Sequence, residues 1–224
     1  MEKLPLLYRV RLKVLKQFLT KKEGLLLLFA KRGYLLSSGW FESMKTNQSI
    51  DREKNPIPWI TYPAFHFLHE MNFEGKRIFE YGSGNSTLYF TGRGAEVYSV
   101  EHHKGWYETV KTRIKNPERL YYRSLEQKEE ADLYVRAAAE PTLKYDAVIV
   151  DGRYRKRCLF ESINHLTEGG VVILDNSDRP YYKPGIDFLL SKGFRKIDFH
   201  GLSPIGYLHS STTIFYKSGN WLNI

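Results

Sequence analysis

From Gly75 onward the chain alternates short runs of β-branched and aromatic residues with stretches whose apolar positions recur every three or four residues. That alternation marks βαβ units around a largely parallel sheet. It predicts seven strands, at 77–81, 96–101, 120–124, 147–151, 171–175, 195–200 and 212–216. Helices are predicted between them at 86–91, 105–115, 127–139, 157–166 and 185–191. Only residues 201–211 separate the last two strands, and they show no helical period, so that pair is expected to be antiparallel.

The first third of the chain follows other rules. Leu4, Tyr8, Leu12, Leu15 and Leu19 recur at steps of three and four, which predicts a helix over 4–20 with Arg9, Lys13 and Lys16 on another face. The apolar run 24–30 is far shorter than the ~20 residues a membrane span needs and has no cleavage signature. A cytoplasmic location is therefore expected. From 39 to 63 the pattern dissolves into Ser, Asn, Asp and the prolines Pro56, Pro58 and Pro63, an extended segment lying against the domain that follows. Helix resumes over 64–71. The expected organisation is an extension at 1–63, with a basic helix and a cover segment, followed by one α/β domain at 64–224.

Composition changes this picture little. With 42% hydrophobic and 15% aromatic residues in 224, a substantial core is available and global disorder is excluded. The single cysteine, Cys158, cannot form an internal disulfide, has no partner spacing for zinc, and is expected to pack. Charge is more informative. Residues 1–32 hold nine Lys or Arg against Glu2 and Glu23, whereas the other 192 hold 25 basic against 23 acidic residues. The basic arm is thus electrostatically separate from the body, which favours a small-molecule partner over nucleic acid. Such an arm either packs on the domain or a second subunit, or lies on an anionic membrane surface.

The chemistry begins at Ile78-Phe79-Glu80-Tyr81-Gly82-Ser83-Gly84-Asn85-Ser86-Thr87: a strand, a carboxylate at its end, a glycine turn, then a helix. Gly82 and Gly84 clear side chains from a ligand's approach, and the next helix begins with unpaired amides. Glu101 ends the second strand 17 residues after Gly84, where a carboxylate can accept from a ribose diol. A dinucleotide fingerprint has a third glycine, or alanine, where this chain has Thr87, and Glu80 would repel a pyrophosphate. It suits an ammonium instead.

On these residues the chain resembles the class I S-adenosylmethionine-dependent methyltransferases, over about 62–216. The resemblance implies a seven-stranded, mostly parallel Rossmann-like sheet with an antiparallel last strand inserted beside the fifth and helices on both faces. It also implies S-adenosylmethionine as cofactor, held by Tyr62, Glu80, Gly82, Ser83, Gly84, Asn85, Ser86, Glu101, His102 and Asp151.

Two more carboxylates close strands, Asp151 after Ala147-Val148-Ile149-Val150 and Asp175 after Val171-Val172-Ile173-Leu174, and Asn176 follows Asp175. Ligands of open α/β sheets sit beyond such strand ends. Asp151, Asp175 and Asn176 are similar to the magnesium site of the catechol O-methyltransferase group, which implies Mg²⁺ acidifying an acceptor hydroxyl, with Asp151 and Asp175 catalytic. Three other readings stay open: Asp151 as a metal-free base, Asp151 paired with Arg153, and Asp175-Asn176 as a turn cap. The cluster Arg153-Tyr154-Arg155-Lys156-Arg157 is either a solvated helix start or a binder of an acidic acceptor such as a uronate or phosphate-bearing sugar. The expected reaction is methylation of a hydroxyl on a small molecule or glycan. An RNA methyltransferase, an NAD-dependent oxidoreductase and a non-catalytic binding module are the rivals.

Overall fold

The computed structural model describes residues 33–224; the helix expected at 4–20 and the run at 24–30 lie outside them. One sheet holds β1 (Arg77–Tyr81), β2 (Glu96–Glu101), β3 (Leu120–Tyr122), β4 (Tyr145–Val150), β5 (Leu166–Asp175), β6 (Arg195–Gly201) and β7 (Ser210–Tyr216). Their order is β3-β2-β1-β4-β5-β7-β6. The first five pair parallel, and β7 runs antiparallel to both β5 and β6, as the short link between the last two strands predicts.

The central strands read as unbroken apolar runs because both of their faces are covered. Phe79, Tyr81, Val148, Val150, Val172 and Leu174 face one way, against α6 (Lys128–Arg136), α7 (Arg155–Ser162) and α8 (Lys183–Ser191). Ile78, Ala147, Ile149, Val171 and Ile173 face the other way, against α3 (Tyr62–His69) and α4 (Asn85–Gly92). Cys158 is buried in the first cluster, as expected. Side chains alternate with period two, so Glu80 points with Ile78, Glu101 with Val97, Asp175 with Ile173, and Asp151, one residue beyond β4, continues the direction of Ile149. All four carboxylates are thereby brought to the same face at the same end of the sheet.

Some boundaries differ from expectation. Residues 39–63 are not wholly extended: after α1 (Tyr34–Ser37), Gly39 turns in the left-handed region at φ 80° and starts α2 (Trp40–Thr46). All three prolines fall later, so nothing in 40–46 forbids helix. The segment then runs extended, tied by an Ile50–Pro56 bridge. α5 (Lys104–Lys111) ends earlier than predicted, and β3 stops at Tyr122. β5 starts five residues early because Gly169 and Gly170 continue as strand, with Tyr145 already opposite Leu166. Among the described residues no helix is long and apolar enough to cross a membrane.

Candidate functional site

The strand ends open onto a cleft of about 610 Å³ lined by Glu80, Gly82, Ser86, Glu101, Trp106 and Asp151, among others. Gly82 turns at φ 96°, a conformation open mainly to glycine, and a side chain there would meet Gly152 at 3.2 Å. Gly152 is equally constrained: a Cβ would fall 2.0 Å from the Tyr134 hydroxyl and 2.9 Å from the Gly82 nitrogen. The turns after β1 and β4 pack backbone to backbone.

Glu80 is 1% exposed. Its Oε2 accepts a 2.6 Å hydrogen bond from Thr87, whose hydroxyl oxygen in turn accepts from the Gly84 amide at 3.0 Å. The residue that departs from the dinucleotide pattern is therefore the one that holds the carboxylate. Oε1 is buried with no hydrogen-bond partner, although the Ser86 hydroxyl is near enough to favour the charged form. Burial wins, and the pKa is pushed up to about 7. A buried acceptor left open at a cleft is what an ammonium ligand would complete.

Glu101 shows the opposite balance. Burial would push its pKa up, but hydrogen bonds from the His102 side chain and from the His103 and Ser83 amides outweigh it, and the group is held below the usual range. Oε1 takes the His102 and His103 amides at 2.8 and 2.7 Å, and His102 Nδ1 lies 2.9 Å away. Oε2 takes the Ser83 amide at 3.1 Å and, loosely, the Ser83 hydroxyl at 3.4 Å. Oε2 is thus the oxygen with capacity left for a ribose hydroxyl.

Asp151 stands on the shared wall between this cleft and a second one of about 570 Å³, lined also by Asp175, Asn176, Arg179, Ser203 and His209. Asp175 is 5% exposed, and its Oδ1 accepts from Thr212 at 2.7 Å across the β5–β7 register. Burial pushes both aspartate pKa values up. Asp175 is raised further by the charge of Asp151, and Asp151 by Glu80, with Arg155 pulling both the other way.

The magnesium expectation meets a physical obstacle here. The Arg155 guanidinium sits among the three donors, giving hydrogen bonds of 2.8 Å to Asp151 Oδ1 and 3.2 Å to Asn176 Oδ1, with Asp175 Oδ2 at 3.9 Å. Arg155 is 9% exposed, so the solvated reading of the 153–157 cluster fails for its middle arginine. Hard oxygen donors already turned to a guanidinium do not fit Mg²⁺. Asp151 pairs with Arg155 and not with Arg153, whose Nε faces His102 Nε2 at 3.4 Å.

Ser83, Gly84, Asn85 and Ser86 line a smaller neighbouring pocket together with Trp106 and Asp151, and His102 lines the first cleft. Tyr62 does not reach the clefts; it is buried in the core at the start of α3, its ring edge-on to Tyr34. Four residues that the sequence does not single out as site residues are here: Arg155, named only within its charge cluster, Gly152 and two tryptophans. Trp59 lines both clefts, its Nε1 donating to Ser203 at 3.3 Å. Trp106 packs on Gly84, its Nε1 donating to the Ser83 carbonyl at 2.6 Å. Aromatic residues at the start of a helix or beside prolines carry no periodic signal, so only the fold places them. The cover is anchored where Asn85 donates to the Ser49 carbonyl at 2.7 Å, and His200 stacks on His209 at the rim.

No protein-family model matches the chain, and no curated protein matches it. Solved structures do. The O-methyltransferase TomG from Streptomyces achromogenes, involved in tomaymycin synthesis and solved with S-adenosylmethionine, is 15% identical over 84% of this chain and 92% of its own, with a TM-score of 0.54. An S-adenosylmethionine-dependent O-methyltransferase from Thermotoga maritima is also 15% identical, over 80% of this chain and 71% of its own, with a TM-score of 0.52. With the strand order and the inserted antiparallel β7, these likenesses establish that the chain has the fold of the class I S-adenosylmethionine-dependent methyltransferases.

Proposed function

We propose that the protein is an S-adenosylmethionine-dependent methyltransferase acting on a hydroxyl of a small molecule or glycan. One observation carries this reading: Asp151 lies on the wall common to the glycine-turn cleft and the β5–β7 cleft. Bound in the first cleft, S-adenosylmethionine supplies an electrophilic methyl on its sulfonium. Glu80 Oε1 accepts from its ammonium, and Glu101 Oε2 accepts from its ribose. Asp151, its pKa raised by burial, takes the proton from an acceptor hydroxyl held in the second cleft, while Trp59 restricts water where the clefts meet. Arg153 and Arg179 rim the adjoining cavity and take part in none of the ion pairs among the described residues, which supports an acceptor bearing an anionic group.

Titration calorimetry with S-adenosylhomocysteine, followed by labelled-methyl transfer to a panel of neutral and acidic hydroxyl compounds, tests the proposal. Heat of binding with transfer to oxygen is expected; absence of binding at millimolar ligand rejects it. Binding without transfer to any acceptor indicates the non-catalytic module instead.

A further inference from the structure

Arg155 lies where Asp151, Asp175 and Asn176 converge, and its surroundings are those of a permanently installed cation. Every N–H of the guanidinium is used. Nε donates to the Gly152 carbonyl at 3.0 Å, Nη1 to the Asp175 carbonyl and Asn176 Oδ1, and Nη2 to the Asp151 carbonyl and Asp151 Oδ1. Five donors with five acceptors is the full capacity of the group, and it joins the ends of β4 and β5 through backbone as well as side chain. The side chain comes from α7, across the sheet from the face that carries the carboxylates, and its guanidinium carbon lies 5.8 Å from the Tyr182 ring centroid.

We infer that Arg155 is a built-in replacement for a divalent ion: it balances and clamps the Asp151–Asp175–Asn176 donors itself and closes them to Mg²⁺ and Mn²⁺. A hard cation needs oxygens at roughly 2.0–2.1 Å in near-octahedral array for Mg²⁺, which is unattainable while the guanidinium occupies the middle of the set. A guanidinium never loses its proton in a protein and cannot dissociate, so this charge is independent of metal supply and of pH. It also leaves the proton chemistry to the carboxylate. The Asp151 carboxylate accepts its side-chain hydrogen bond from Arg155 on Oδ1, and the second oxygen is not part of it. The consequence for turnover rests on the methyltransfer reading; the metal-binding claim does not.

The test is titration of Mn²⁺ into the full-length protein, followed by loss of the free-ion paramagnetic resonance signal. Wild type is expected to leave the signal unchanged at millimolar metal. Arg155→Ala should acquire about one bound ion per chain, and the added change Asp175→Asn should remove it. Binding by wild type that Asp175→Asn abolishes overturns the inference, and so does an Arg155→Ala protein with native circular dichroism that binds nothing. If Arg155→Ala fails to fold, Arg155→Gln, which keeps two amide donors without charge, carries the same pair of outcomes. Because no turnover is measured, failure here is distinct from failure to bind S-adenosylhomocysteine or to transfer methyl.

Discussion

The two halves of the site hold their carboxylates by different means. On the β1–β2 side, Glu101 is kept charged by amides and a histidine, while Glu80, with one hydroxyl bond to Oε2 and an open Oε1, is poised near neutrality. On the β4–β5 side, the aspartates share a guanidinium whose donors are all spent, on Asp151 Oδ1, Asn176 Oδ1 and the Asp151, Gly152 and Asp175 carbonyls. The first half leaves a buried acceptor, Glu80 Oε1, without a partner, which in the proposed reading a ligand's cation would fill; the second has its cation already. A positive ligand is therefore expected to bind tightly beside Glu80, and an anionic one beside Arg153 and Arg179, not beside the fully paired Arg155.

The strongest break in this contrast is Asp151→Asn. It should cut methyl transfer by roughly 10²–10⁴-fold, the range of a general base, while S-adenosylhomocysteine affinity changes little. Equal losses in binding and transfer would move Asp151 to the cofactor side.

Glu80→Gln comes next. Removing a charge-assisted bond worth about 1.5–3 kcal/mol should weaken S-adenosylhomocysteine by roughly tenfold to a hundredfold. With a pKa near 7 in the free protein, Glu80 must ionise to pair with an ammonium, so affinity should rise with pH through 7 and flatten above it, a slope that Glu80→Gln removes. Stability runs in the opposite sense. The folded-state pKa is raised, so the contribution of Glu80 is fully present below its unfolded pKa and is lost as pH rises through 7. Without ligand, Glu80→Gln should therefore gain melting temperature relative to wild type at pH 8 compared with pH 5.

Gly152→Ala probes the framework both halves share. Its Cβ would press on backbone at 2.9 Å as well as on Tyr134, so a loss of about 1–3 kcal/mol in denaturant unfolding is expected, and adding Tyr134→Phe should restore only part of it. Arg179→Ala should have the smallest effect: KM for an anionic acceptor rises several-fold, at most by about the tenfold that 1.4 kcal/mol represents, with kcat nearly unchanged and the difference fading in high salt.

Much of this was legible in the sequence because β-strand chemistry is periodic. Glu101 and Asp175 close their strands as predicted, Glu80 stands one residue before the end of β1, and Asp151 follows directly after Val150. The antiparallel end of the sheet followed from the length of one link. Arg155 was hidden in a charge run, since Arg153, Lys156 and Arg157 look equivalent on paper and only burial separates them. The one available signal was its spacing of four from Asp151 at the start of a helix. Gly152 was hidden for another reason, because its constraint comes from the Tyr134 hydroxyl and from a turn 70 residues away, and not from its own conformation. Gly169 and Gly170 misplaced the start of β5, since glycine is a poor strand former that tertiary pairing overrode.

The shared orientation of Glu80, Glu101, Asp151 and Asp175 has a consequence for how such a site can vary. Each carboxylate keeps its side of the sheet only through odd-even counting along its own strand. A single residue inserted or deleted within β1, β2, β4 or β5 would turn that strand's acidic group towards α6, α7 and α8, whereas loops beyond the strand ends can lengthen without disturbing the parity. The helices and cover are free to be remodelled for new acceptors; the four strand ends are bound by arithmetic.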